Sequence, residues 1–159
     1  MAKNFRSKRL DGIKLNNRMK IQNEEHNMPQ MRSLVFKNGA LYDGMVSSSR
    51  MLCHIDGDKL YEGTITSSSK ALCTIKNGKI YQGTIVSSSR QLGLIDDGKA
   101  YKGTIKSSSR VVLSFKNGTV YRGGIVSSSK AMGSIKGAEY LDEAYLAAMI
   151  HFFVEPIFA

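Results

Sequence analysis

Five Ser-Ser-Ser triplets begin at Ser47, Ser67, Ser87, Ser107 and Ser127, and each is closed by a cation: Arg50, Lys70, Arg90, Arg110 and Lys130. Guanidinium and ammonium groups beside hydroxyls offer charge-assisted hydrogen bonds, which is what a phosphate, a phosphoinositide head group or another polyanion needs. The candidate anion-binding set is therefore Arg50, Lys70, Arg90, Arg110 and Lys130, together with the third serines Ser49, Ser69, Ser89, Ser109 and Ser129. A plainer reading stands beside it: serine suits turns, and a cation discourages pairing at a sheet edge.

Catalytic chemistry is poorly supported. Ser67 to Lys70 and Ser127 to Lys130 fit Ser-x-x-Lys, a spacing that in penicillin-recognising enzymes sets a nucleophile beside a lysine. The equivalent units end in Arg, which cannot act as a base, and the motif falls on a turn instead of a helix start. His26, His54 and His151 show no recurring spacing to carboxylates or cysteines. Cys53 and Cys73 lie in no CxxC or Cys/His cluster and read as small core residues, so no metal, no cofactor and no enzymatic activity are expected.

The triplets recur every 20 residues, each preceded by Tyr-x-Gly at Tyr42/Gly44, Tyr61/Gly63, Tyr81/Gly83, Tyr101/Gly103 and Tyr121/Gly123. Between units stand Lys37-Asn38-Gly39, Asp56-Gly57-Asp58, Lys76-Asn77-Gly78, Asp97-Gly98-Lys99 and Lys116-Asn117-Gly118. Asn-Gly or Asp-Gly between apolar runs is the strongest short hairpin signal. Two turns per repeat leave two strands, for example Ala71 to Ile75 and Lys79 to Val86, and the chain reads as an antiparallel meander. Side chains alternate across such strands. One face of the shorter strand collects a small layer (Cys53, Cys73, Gly93, Leu113, Gly133) and an Ile/Phe layer (Ile55, Ile75, Ile95, Phe115, Ile135), and this face is expected inside.

The sequence thus predicts a mainly β fold: a symmetric antiparallel meander barrel of about five 20-residue hairpin repeats, with an extra strand at Ser33 to Phe36 that helps closure. Closure removes the unpaired edges. About eight strands are what side chains can fill unaided, so ten leave a hole inside a barrel whose backbone radius is on the order of 10 Å. A helix of ~10 to 12 Å diameter would plug it. The run 141–154 has acids in its first turn, Pro156 after its end and apolar residues nearly all round. It is too short to span a bilayer and is expected at the centre, with a membrane-surface anchor as the alternative.

These features resemble the β-flower proteins, in particular a five-fold form: Tyr-x-Gly units with Ser-Ser-Ser-Arg/Lys and a tail containing Ala147-Ala148 and Phe152-Phe153, covering about Ser33 to Phe158. The resemblance implies a shallow, symmetric barrel of hairpin petals around a hydrophobic helix, and no settled activity. The stretches 77–83 and 117–123 also look like MORN repeats, hairpin arrays used as membrane or protein adaptors, although their Gly-rich second half is serine here.

The 159 residues carry 23 Lys+Arg against 13 Asp+Glu, a net charge of +10, with 42% hydrophobic residues, and suit one domain. The segment 1–32 holds eight cations and three acids and reads as a basic, disordered extension before the repeat domain 33–159. It could touch nucleic acid or anionic lipid through phosphates. No apolar secretory segment or spanning stretch is evident, so a cytoplasmic protein with peripheral membrane placement is expected. The opposite rim mixes signs (Lys37, Asp56, Asp58, Lys76, Asp96, Asp97, Lys116, Lys136), which leaves the serine rim as the single-sign field. The functional expectation is an interaction or membrane-surface adaptor whose serine/cation rim meets anionic lipid head groups or an acidic partner. The alternative is a purely structural module with a nucleic-acid-contacting tail.

Overall fold

At Asn38-Gly39, Gly57-Asp58, Asn77-Gly78, Asp97-Gly98 and Asn117-Gly118 the chain reverses in a two-residue turn. At Asn77 and Gly78 both residues are left-handed, with φ of 52° and 73°, the conformation that matches the twist of the flanking strands and that Asn-Gly tolerates. The computed structural model describes residues 30–44 and 49–159. It contains β1 (Leu34–Lys37), β2 (Ala40–Asp43), β3 (Arg50–Asp56), β4 (Lys59–Glu62), β5 (Ala71–Lys76), β6 (Lys79–Gln82), β7 (Gln91–Asp96), β8 (Lys99–Lys102), β9 (Val111–Lys116), β10 (Thr119–Arg122), β11 (Ala131–Gly133) and α1 (Glu143–Phe153). The strands form one antiparallel meander sheet in chain order. The basic segment up to residue 29 and the first two serines of the first triplet, Ser47 and Ser48, lie outside the described residues.

Three expectations are corrected. The repeat number is six: serine triplets are the connections between petals, and five connections join six petals. The hairpin β1–β2 precedes the first triplet, and β11 follows the last. Next, the longer strand does not reach Val86: β6 stops at Gln82 because Gly83 turns left-handed at φ 70°. Finally, the ladder does not close into a barrel. The sixth petal has one strand only, since after Lys136 the Ala138 N–H turns back to the Ile135 carbonyl at 3.0 Å instead of starting a partner strand.

The ends of the sheet are nevertheless stitched. Val35 bridges Lys136, and the Phe36 N–H donates to the Lys136 carbonyl at 2.7 Å. Between successive petals the backbone bonds run from the Ile55 N–H to the Gly39 carbonyl, Ile75 to Asp58, Ile95 to Gly78 and Phe115 to Gly98, at 2.7 to 2.8 Å. The contact between last and first petals differs from these: it is a single parallel bridge, whereas successive petals pair antiparallel.

The alternation read from the sequence sets the core. Leu41, Cys53, Leu60, Cys73, Ile80, Leu113 and Val120 are fully buried and form one cluster with Ala144 and Leu146 to Ile150 of α1. The helix is thus part of the interior, and the surface-anchor alternative does not fit its burial. Asp142 caps it, its Oδ1 accepting from the Ala144 N–H at 2.8 Å. Its polarity is set at both ends. Tyr145 Oη donates to the Gly57 carbonyl at the hairpin-turn end, while Glu155 pairs with Arg122 at the opposite end of the strands. The negative end of the helix dipole therefore lies toward the serine-loop end, where the cations are.

Candidate anion-binding end of the sheet

Each serine connection is built the same way. The carbonyls of Ser67, Ser87, Ser107 and Ser127 accept from the backbone N–H of Lys70, Arg90, Arg110 and Lys130 at 2.9 to 3.0 Å, closing short 3-10 turns. The first and third hydroxyls meet at 3.0 to 3.1 Å, as in Ser67 with Ser69, Ser87 with Ser89, Ser107 with Ser109 and Ser127 with Ser129. The serines thus shape the turn, and each third hydroxyl keeps an acceptor or donor free for a further partner. Ser49 lies beside Gly44.

The cations hold equivalent positions. Lys70, Arg90, Arg110 and Lys130 stand one residue before β5, β7, β9 and β11, and Arg50 opens β3 opposite Asp43. All five are exposed, and none belongs to the three ion pairs among the described residues, which are Lys59–Asp58, Lys106–Asp96 and Arg122–Glu155.

Sequence reasoning missed three features of this end. The first is a set of exposed isoleucines in the same loops: Ile65 (59% exposed), Ile85 (55%), Ile105 (56%) and Ile125 (67%), joined by Val86 and Val126. Their β-branched side chains read as strand residues, but the left-handed glycine before them takes them out of the sheet.

The second is a polar staple. Thr74 Oγ1 donates to the Gly83 carbonyl at 2.8 Å, Ser114 Oγ to that of Gly123 at 2.7 Å, and His54 Nδ1 to that of Gly63 at 2.7 Å. Leu94 cannot do this, and Gln91 Nε2 donates to the Gly103 carbonyl instead, at 3.0 Å. The staple pins the glycine from which each serine loop departs. In the His54 copy the ring stacks on Tyr61, with centroids 5.4 Å apart, and Nε2 reaches Thr66 Oγ1 at 2.7 Å, tying down the residue next to Ile65. Because a carbonyl only accepts, Nδ1 carries the hydrogen. The signal available was a polar residue between the small and Ile layers of the shorter strand.

The third is a charge gradient in the variable position of Tyr-x-Gly, which ends each second strand: Asp43, Glu62, Gln82, Lys102 and Arg122. Around the sheet this position passes from acid through amide to base. The cations Arg50 and Lys70 therefore stand near carboxylates, while Arg110 and Lys130 stand near further cations.

The remaining candidates are structural. His151 accepts from the Phe158 N–H at Nδ1, 3.1 Å, and its burial lowers its pKa. Burial pushes the thiols of Cys53 and Cys73 up to about 12. Tyr81 is buried and the other repeat tyrosines are half-buried on the outer face. Among the described residues no group of three His, Cys, Asp or Glu side chains is placed to hold a metal, and no helix is long and apolar enough to cross a membrane.

Six petals, repeating serine loops and a buried helix agree with a comparison of the chain to known families. A model of the 6-fold beta flower protein family matches residues 21–148. The chain belongs to the beta flower family. The five-fold form suggested by counting serine triplets is thereby replaced by the six-fold one, and the match does not extend to the MORN likeness. No curated protein and no solved structure matches this beta flower.

Proposed function

We propose that this beta flower is a non-enzymatic, peripheral membrane-surface adaptor that places its serine-loop end against an anionic bilayer. One observation carries the reading: every described serine loop exposes an isoleucine, ends in an exposed cation five residues later, and contains no acid. An amphipathic surface of this kind suits the head-group boundary, where the apolar groups leave water and the cations meet phosphates. A cation near an anionic leaflet contributes about 1 kcal/mol. A fully buried isoleucine contributes roughly 1.5 to 3 kcal/mol, so insertion even to part depth matches the electrostatic share residue for residue. The basic arc of Arg90, Lys102, Arg110, Arg122 and Lys130 is the part of this end that favours an anionic surface.

Co-sedimentation with neutral and anionic vesicles at low and high salt tests this. Binding to anionic vesicles that weakens with salt, and that falls when Ile65, Ile85, Ile105 and Ile125 are changed together to Ser, supports the reading. Salt-sensitive binding indifferent to those four substitutions favours an acidic protein partner over a bilayer, and equal binding to neutral vesicles contradicts the electrostatic account.

A further inference from the structure

The four positions that make up the connection between petals enclose a recess at two junctions. Between β8 and β9 a space of about 320 Å³ is lined by Lys102, Ser109, Arg110 and Val112. Between β10 and β11 the equivalent residues, Arg122, Ser129, Lys130 and Met132, line part of a cleft of about 710 Å³. Both junctions draw two cations and one serine hydroxyl around an apolar floor, because both lie at the basic end of the Tyr-x-Gly gradient. At the earlier junctions the same strand position is Asp43, Glu62 or Gln82, which removes the second cation.

We propose that the β8–β9 junction is a binding site for a phosphate monoester, held between Lys102 and Arg110 with the Ser109 hydroxyl as a further donor. This rests on the reading of the serine-loop end as anion-binding and names the group it selects. A phosphate monoester carries close to two negative charges at neutral pH and is matched by two cations, one of them a planar guanidinium able to bind two oxygens at once. The Arg110 guanidinium lies toward Lys102, since a Cβ added to the adjoining Gly103 would stand 3.5 Å from Arg110 Nη1. Ser109 keeps bonding capacity beyond its contact with Ser107. Lys102 Nζ also donates to a main-chain oxygen of Ala159, the last residue of the sequence, so a phosphate dianion binds by competing with that single oxygen for the ammonium while Arg110 and Ser109 hold its other oxygens. The β10–β11 cleft is the poorer site, because the Glu155 carboxylate that pairs with Arg122 lies in it and repels an anion.

The phosphate could belong to a lipid head group or to a soluble molecule, and the test separates these. The full chain would be titrated with inositol hexakisphosphate, and separately with vesicles of equal surface charge containing either phosphatidylserine or a phosphoinositide. Lys102→Glu, which restores the acid found at Glu62, and Arg110→Gln should each weaken inositol hexakisphosphate binding about tenfold or more. Lys76→Glu, the same charge change at the hairpin-turn end, should weaken it far less. Because Lys102 also touches Ala159, a gain-of-site variant guards against misfolding: Gln82→Lys beside Arg90 should add a second binding equivalent. Preference for phosphoinositide vesicles, lost in Lys102→Glu, assigns the site to a lipid head group. Binding of inositol hexakisphosphate without binding of either vesicle keeps the site, assigns it to a soluble phosphate and ends the membrane reading. Binding of both vesicle types alike, with Lys102→Glu no weaker than Lys76→Glu and no gain from Gln82→Lys, overturns the site and leaves the membrane reading intact.

Discussion

The ring of Phe158 lies against Gly93, so that a Cβ added at Gly93 would stand 2.7 Å from the ring's Cδ1 and 2.6 Å from the Tyr101 carbonyl oxygen. The small layer of the inner face, occupied by Cys53, Cys73 and Leu113 in other petals, is reduced to glycine where the tail after α1 folds back. Gly93→Ala should therefore destabilise by about 1 to 3 kcal/mol through overpacking. Phe158→Ala should cost ~3 to 5 kcal/mol. In urea unfolding the double variant should be more stable than the sum of the two losses predicts, because the methyl group added at Gly93 then occupies space the ring has left.

Much of the fold was legible because it depends on residues with strong local meaning. Asn77-Gly78 and its counterparts fix the hairpins, the alternation of Cys73 and Ile75 with polar neighbours fixes the inner face, and the all-round apolar run from Ala144 fixes the buried helix. The petal number was not legible in the same way, since the most visible marker, the serine triplet, belongs to the connections and the sixth petal ends at Lys136 without a second strand. At the candidate site the cations Lys70, Arg90, Arg110 and Lys130 take equivalent places just before a strand, and Arg50 opens one, as a 20-residue period requires. The exposure of Ile85 was hidden because its β-branched side chain argues for a strand, whereas the backbone at Gly83 decides otherwise. The staple was hidden by its own variety: His54, Thr74 and Ser114 share a role without sharing a side chain, and Gln91 reaches it from another position.

Thr74 tests that staple. Its side chain is buried, and its replacement by Val keeps the shape but leaves the Gly83 carbonyl without this donor. A loss of roughly 1 to 3 kcal/mol is expected in chemical unfolding, with a smaller loss for Thr74→Ser.

His151 makes stability depend on pH. Its folded pKa is depressed by burial below the ordinary 6.5, so the unfolded chain binds the proton more readily. Its contribution is complete above pH 6.5 and is lost as pH falls from there through the folded pKa. Urea midpoints measured from about pH 8 downward should fall in that window, and His151→Gln should flatten the slope.

Cys53 and Cys73, the two cysteines of the chain, have thiols raised to about 12 by their burial. The thiolate is the reactive form. A thiol reagent at about pH 8 should label neither in the native protein and both in denaturant; rapid native labelling of either would contradict the inner-face placement.

Binding at the serine-loop end is separated most directly from binding by the basic segment through two full-length variants on anionic vesicles. One changes Arg50, Lys70, Arg90, Arg110 and Lys130 to Gln; the other changes Lys3, Arg6, Lys8, Arg9, Lys14, Arg18 and Lys20 to Gln. With five cations contributing about 1 kcal/mol each, the first should lose binding by well over tenfold while circular dichroism stays unchanged. The second should keep most of it. Vesicle binding that survives the loop substitutions and disappears with the N-terminal ones would contradict the account.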